Sequence, residues 1–110
     1  MRYLAMPLVL CLLGTNAATA ADARPAKWCG WWMRQQVWTD PGKEFNRAAL
    51  WAKWGSPASP APGVIVVYRH HVAKITSRDS SGAWIMRSGN DNHAVRERAR
   101  SLRGAIAFRQ

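Results

Sequence analysis

The stretch that decides the fold is residues 64–88, which read VIVVYRHHVAKITSRDSSGAWIMRS. It begins with an unbroken apolar run at 64–68, typical of a strand that is covered on both faces. Residues 71–76 and 83–88 then alternate between apolar and polar side chains, which is the two-residue period of a half-buried strand. Asp79 to Gly82 lies between them and predicts a hairpin-type connection. The stretch therefore predicts neighbouring strands of an antiparallel sheet.

Upstream of this stretch the apolar period is that of helices. A first helix is predicted over 27–38, and one face of it carries Cys29, Trp32, Met33 and Gln36 at helical spacing. A turn signal at 39–42 ends this helix. A second helix is predicted from Asn46, as its N-cap, through Trp54, with Gly55 as its stop. Residues 56–63 contain three prolines and no large apolar side chain, and they predict a loop.

Two further strands are predicted downstream, a short one at 95–97 and a last one at 105–108. Helices that come first and strands that follow are typical of the α+β class. We therefore expect a compact domain in which N-terminal helices pack on a small antiparallel β-sheet. A chain of 110 residues has room for one such domain.

The first twenty residues predict an export signal rather than a part of this domain. Arg2 is followed by a ten-residue apolar run at 4–13, which is too short to span a bilayer. Ala18-Thr19-Ala20 is a small-x-small cleavage site, so we expect cleavage after Ala20. Cys11 is then discarded, residues 21–26 form a leader, and residues 27–110 form the domain. The mature protein is expected to be periplasmic or secreted, without a transmembrane anchor.

Cys29, His71 and Asn90 are the candidate catalytic residues. Cys29 lies at the start of the first predicted helix, where backbone N–H groups and the helix dipole stabilise a thiolate. His71 opens one strand, and Asn90 follows the next strand with the same parity as Met86 and Ser88. If the first helix packs on that face, the three side chains meet. Each also has an ordinary interpretation: a buried cysteine, a structural histidine and a turn asparagine.

These residue types suit the hydrolysis of an amide without a cofactor. A thiolate attacks the acyl carbon, and an imidazole then protonates the leaving amine. An asparagine oxygen that accepts a hydrogen bond from the other ring nitrogen fixes the tautomer. The backbone N–H of Cys29 is the natural donor to the oxyanion. A metal site made of His70, His71 and His93 is disfavoured, because adjacent side chains on a strand point apart.

Four segments in this order resemble the NlpC/P60 and CHAP superfamily, specifically its small exported bacterial branch. They are Trp28-Cys29-Gly30-Trp31-Trp32-Met33, Pro62-Gly63-Val64-Ile65-Val66-Val67-Tyr68, His70-His71-Val72-Ala73 and Ser88-Gly89-Asn90-Asp91-Asn92. The resemblance covers about residues 27–109. It implies a papain-like fold and an amidase or endopeptidase that acts on peptidoglycan.

By motif position, the resemblance makes Cys29 the nucleophile, His71 the base and Asn90 the orienting residue. The sequence departs from the superfamily pattern at two places near these residues. His70 stands where the family usually has glycine, and Ser88 replaces the first glycine of the later turn.

The charge balance points to an anionic partner. The chain carries 16 Lys and Arg against 6 Asp and Glu, a formal net charge of +10. Arginines recur at 96, 98, 100 and 103, which is either a solvated face or an attraction to an acidic polymer. For an exported protein, the acidic partners are wall carboxylates or anionic lipid head groups. Two alternatives to the enzyme therefore stay open: a non-catalytic wall-binding module, and a nucleic-acid or membrane-surface protein. Nucleic acid is disfavoured because most tryptophans lie away from the basic run.

Overall fold

A computed structural model describes residues 22–110 of the chain. The predicted signal peptide and Cys11 lie outside the described residues. One α-helix and two 3-10 helices come first: α1 (Cys29–Arg34), followed by 3-10 helices at Lys43–Asn46 and Ala48–Lys53. The strands follow: β1 (Ile65–Tyr68), β2 (Val72–Arg78), β3 (Trp84–Asp91), β4 (Ala94–Ala99) and β5 (Ala105–Arg109).

The five strands form one antiparallel sheet in the order β4-β3-β2-β1-β5. The hairpin at 79–82 is confirmed, because Asp79 Oδ1 accepts hydrogen bonds from the backbone N–H groups of Ser81 and Ala83 at 2.9 and 3.0 Å. The last strand returns to pair with β1, so the first and last strands are neighbours. Helices that precede a small antiparallel sheet confirm the α+β prediction.

The sheet separates two apolar clusters. Ile65, Val67 and Val72 lie on the face toward the helices, together with the fully buried Met33 and Trp51. The opposite face carries the second cluster, made of Val64, Val66, Ala73, Ile75 and Met86. Alanines of the 56–63 loop and Leu102 pack against this second cluster. The apolar run at 64–68 is thus covered on both faces, as predicted.

The N-terminal half is less helical than its sequence pattern predicts. α1 ends at Arg34 rather than at residue 38, because the chain turns back and Asp40 holds the Arg34 guanidinium through two bonds of 2.8 Å. Within the predicted helix at 46–54, residues Ala48–Lys53 are helical but form a 3-10 helix, and a second 3-10 helix at Lys43–Asn46 precedes it. Asn46 does not cap a helix, because its side-chain oxygen accepts a hydrogen bond from Arg34 Nη1 at 2.9 Å.

The third and fourth strands are longer than the predicted ones. β3 continues to Asp91, and β4 spans six residues instead of three. A tight turn joins them through Asn92 and His93, both of which have positive φ (56° and 67°). Two consecutive left-handed residues match the right-handed twist of a hairpin. Within residues 22–110, no helix is long and apolar enough to span a membrane.

Candidate active site

Cys29 is the first residue of α1 and is buried against the start of β2. The backbone N–H groups of Val72, Gly30 and Cys29 itself act to lower the thiol pKa. Burial acts in the opposite direction and is the larger effect, so the pKa of Cys29 is raised above its ordinary value. The helix start alone predicted a lowered pKa. In this structure the resting group is therefore a neutral thiol.

The thiol lines a cavity of 520 Å³ between α1, the 3-10 helices and the turn that precedes β2. Cationic side chains dominate its polar lining: Lys27, Arg47 and Arg69. His70 also lines this cavity, whereas His71 does not. The residue that replaces the expected glycine of the motif thus lies beside the candidate nucleophile.

His71 immediately precedes β2, and its Nε2 lies 2.9 Å from Ser88 Oγ in β3. Burial lowers the pKa of His71 to about 4, and the positive charge of Arg100 acts in the same direction. Asp91 opposes this effect only in part. His71 is therefore a neutral imidazole at pH 7, held through one nitrogen, with Nδ1 as the other ring nitrogen.

Ser88, rather than the predicted Asn90, is the hydrogen-bond partner of His71. Asn90 lies within β3 at a break in its pairing with β4, where its φ is +53°. Such a break disrupts the two-residue alternation on which the parity argument depends. Among residues 22–110, no hydrogen bond joins Asn90 to His71. In the sequence, Ser88 has the same parity as the apolar Met86, which predicts that both side chains lie on one face of β3. Both residues are buried in the structure.

Cys29 and His71 approach the start of β2 from different sides. Gly89 faces α1, because a Cβ built there would lie only 2.5 Å from Cβ of Trp32. Ser88, the adjacent residue, therefore points to the opposite face, and the bonded ring of His71 lies toward that face. The condition under which the three side chains would meet, that α1 packs on the face of His71, is therefore not fulfilled. Within the described chain, no hydrogen bond joins Cys29 to His71.

A second polar feature borders His71 and centres on the buried carboxylate of Asp91. Arg98 binds this carboxylate through two bonds of 2.6 and 2.9 Å, and Arg96 donates to the Asp91 backbone carbonyl at 2.8 Å. Arg100 Nη1 lies 3.8 Å from the same carboxylate. Arg98 and Arg100 lower the pKa of Asp91, with the Arg98 hydrogen bond as the largest cause. The basic run is therefore partly an ordered network, which sequence spacing alone did not predict.

Over residues 22–110, no group of three His, Cys, Asp or Glu side chains is arranged to hold a metal ion. Comparison with protein-family models, curated proteins and solved structures finds no match for the chain.

Proposed function

We propose that the protein is an exported cysteine hydrolase of the papain-like NlpC/P60 and CHAP kind, which cleaves amide bonds of peptidoglycan. Cys29 is the nucleophile, His71 the base and Ser88 the residue that orients the imidazole. The observation that carries the proposal is the arrangement at the start of β2. There the buried Cys29 packs in one apolar cluster with Val72, and the residue before Val72, His71, is held through Nε2 by Ser88.

The proposed reaction starts from a neutral thiol and a neutral imidazole. The sulfur bonds to the amide carbon while its proton passes to Nδ1 of His71, the nitrogen that Ser88 does not occupy. The C–N bond then breaks, and the imidazolium returns the proton to the leaving amine. Water hydrolyses the thioester and restores the thiol. Because Cys29 and His71 lie on different sides of the start of β2, the proposed reaction requires the His71 side chain to move toward Cys29 when substrate binds.

The charge around the cavity supports an acidic substrate. Lys27, Arg47 and Arg69 line the space beside Cys29. Peptides of the bacterial wall carry carboxylates, and cations that line a cleft raise the local concentration of such groups. An exported protein also meets this polymer outside the cytoplasm.

The test is the release of soluble fragments from purified peptidoglycan by the protein isolated after export. We expect Cys29→Ala to abolish release and to keep the urea-unfolding midpoint close to that of the wild type. Ser88→Ala should retain a reduced rate, because it loses only the group that orients His71. Hydrolysis that survives Cys29→Ala would refute the mechanism.

A non-catalytic wall-binding module is the second candidate, and the buried, neutral thiol favours it. In that case the protein would pellet with peptidoglycan equally well before and after Cys29→Ser. Salt would weaken the association, since exposed arginines supply it. Release of fragments by the wild type, or binding that salt does not affect, would exclude this candidate. A preference for duplex DNA over peptidoglycan in the same assay would exclude both candidates.

A further inference from the structure

A second cleft adjoins the cavity of Cys29. It is open, has a volume of 460 Å³ and is lined by Tyr68, His70, His71, Arg100, Ser101 and Arg103. His70 lines both this cleft and the cavity that contains the thiol. A ligand that extends from one to the other would therefore pass His70.

The acidic residue beside this cleft, Asp91, neutralises the arginines around it only in part. The carboxylate of Asp91 already receives two hydrogen bonds from Arg98. Arg100 Nη1 is 3.8 Å from that carboxylate, beyond hydrogen-bond distance. This nitrogen is buried and has no hydrogen-bond acceptor in residues 22–110. Arg103 forms no ion pair within residues 22–110, so the cleft keeps positive charge that Asp91 does not balance.

The Arg100 guanidinium is also fixed in position. Its central carbon lies 5.3 Å from the centre of the Tyr68 ring, which favours a cation over its face. The Tyr68 hydroxyl in turn donates to the Ser101 carbonyl at 2.7 Å. Preorganised donors lose less entropy when they bind a ligand than mobile ones do. The cleft therefore presents an ordered cation rather than a mobile surface charge.

We propose that the cleft between Arg100, Arg103 and His71 binds a carboxylate group of an acidic peptide. This inference rests on the proposed function, for which it identifies a binding site for an anionic group of the substrate. A guanidinium presents paired N–H donors that match a planar carboxylate. Phosphate also presents anionic oxygens to a guanidinium, so the experiment compares the binding of a carboxylate with that of inorganic phosphate.

The probe is the α-amide of N-acetylglutamate, titrated at pH 7 and constant ionic strength with NMR detection of the His71 ring. The matched ligand is the α-amide of N-acetylglutamine, which has the same shape without the charge. We expect saturable binding of the first and at least about tenfold weaker binding of the second, the scale of one charged hydrogen bond. Inorganic phosphate should bind more weakly than the carboxylate.

Arg103→Gln should weaken carboxylate binding about tenfold or more, and Arg100→Gln should do the same where it folds. The matched control is Arg87→Gln, which removes the same charge from an exposed position outside the cleft and should leave binding unchanged. Equal losses in Arg103→Gln and Arg87→Gln would overturn the proposal. The proposal would also be overturned if the carboxylate probe did not bind, if the neutral probe bound equally well, or if phosphate bound more tightly. Cys29→Ala should leave binding intact, so a failure of the hydrolase mechanism would not affect this result.

Discussion

Burial of a neutral His71 makes the stability of the fold depend on pH between 7 and 4. The pKa of His71 is about 4 in the folded protein and 6.5 in its unperturbed state. Below pH 6.5 the unfolded chain takes up a proton that the folded protein does not. Stability is therefore complete above pH 6.5 and is lost as the pH falls toward the folded pKa. The loss is about 2 kcal/mol at pH 5 and about 3 kcal/mol at pH 4.

Urea unfolding followed by tryptophan fluorescence measures this loss directly. The carboxylates with shifted pKa values, such as Asp40 and Asp91, have values below 3.8, so they contribute little between pH 7 and 5. His71→Gln keeps a polar side chain near Ser88 but cannot titrate, and its stability should be nearly constant over that range. His70→Gln, which removes the exposed neighbour, is the matched control and should keep the wild-type loss. A wild-type stability that stays constant from pH 7 to 5, or a loss that persists in His71→Gln, would refute the reasoning.

Three further predictions concern Gly89, the ion pair between Asp40 and Arg34, and the thiol of Cys29. Gly89→Ala should lower stability by about 1–3 kcal/mol, seen as a lower urea midpoint, because its Cβ would lie 2.5 Å from that of Trp32. Asp40→Asn should lower the free energy of unfolding by about 1 kcal/mol at pH 7. The loss is small because Asp40, which pairs with Arg34, is half-exposed to solvent. That deficit should disappear as the pH falls toward 2, where the wild-type carboxyl, with a pKa of about 2, also becomes protonated. Alkylation of Cys29 by iodoacetamide should keep accelerating above pH 8.5, the ordinary thiol pKa, and a rate that is already maximal at pH 6 would contradict the raised pKa.

The sheet was largely predictable from sequence because its signals are local. The run at 64–68 is buried on both faces, and the alternation at 71–76 and 83–88 marks strands with two unlike faces. The final strand was predicted to within one residue. These patterns are formed by residues that are close in sequence, so contacts with distant parts of the chain were not needed to predict the strands.

The helical half was less predictable because contacts between distant residues determine it. The Arg34 guanidinium binds Asp40, Asp22 and Asn46, so the chain folds around it instead of continuing α1. No local pattern shows that Asn46 bonds to an arginine twelve residues earlier rather than capping a helix.

The candidate site was predictable in its residue types but not in its contacts. Cys29 lies at a helix start and His71 at a strand start, as expected. The irregular pairing near Asn90 then makes Ser88 the partner of His71. Desolvation of Cys29 also depends on the assembled core, so the direction of its pKa shift could not be read from helix position alone.

The two edge strands of the sheet, β5 and β4, differ in how far they are covered by other parts of the chain. The outer edge of β5 is partly covered, because Pro57 bridges to Arg109 and the Ala58 N–H donates to the Phe108 carbonyl. β4 forms the other edge, and residues 95–99 are all exposed. If two copies paired antiparallel along β4 with Glu97 at the centre, Arg96 of each would lie opposite Arg98 of the other. That repulsion discourages the growth of a continuous sheet between molecules, so the arginines of β4 also protect the protein against aggregation.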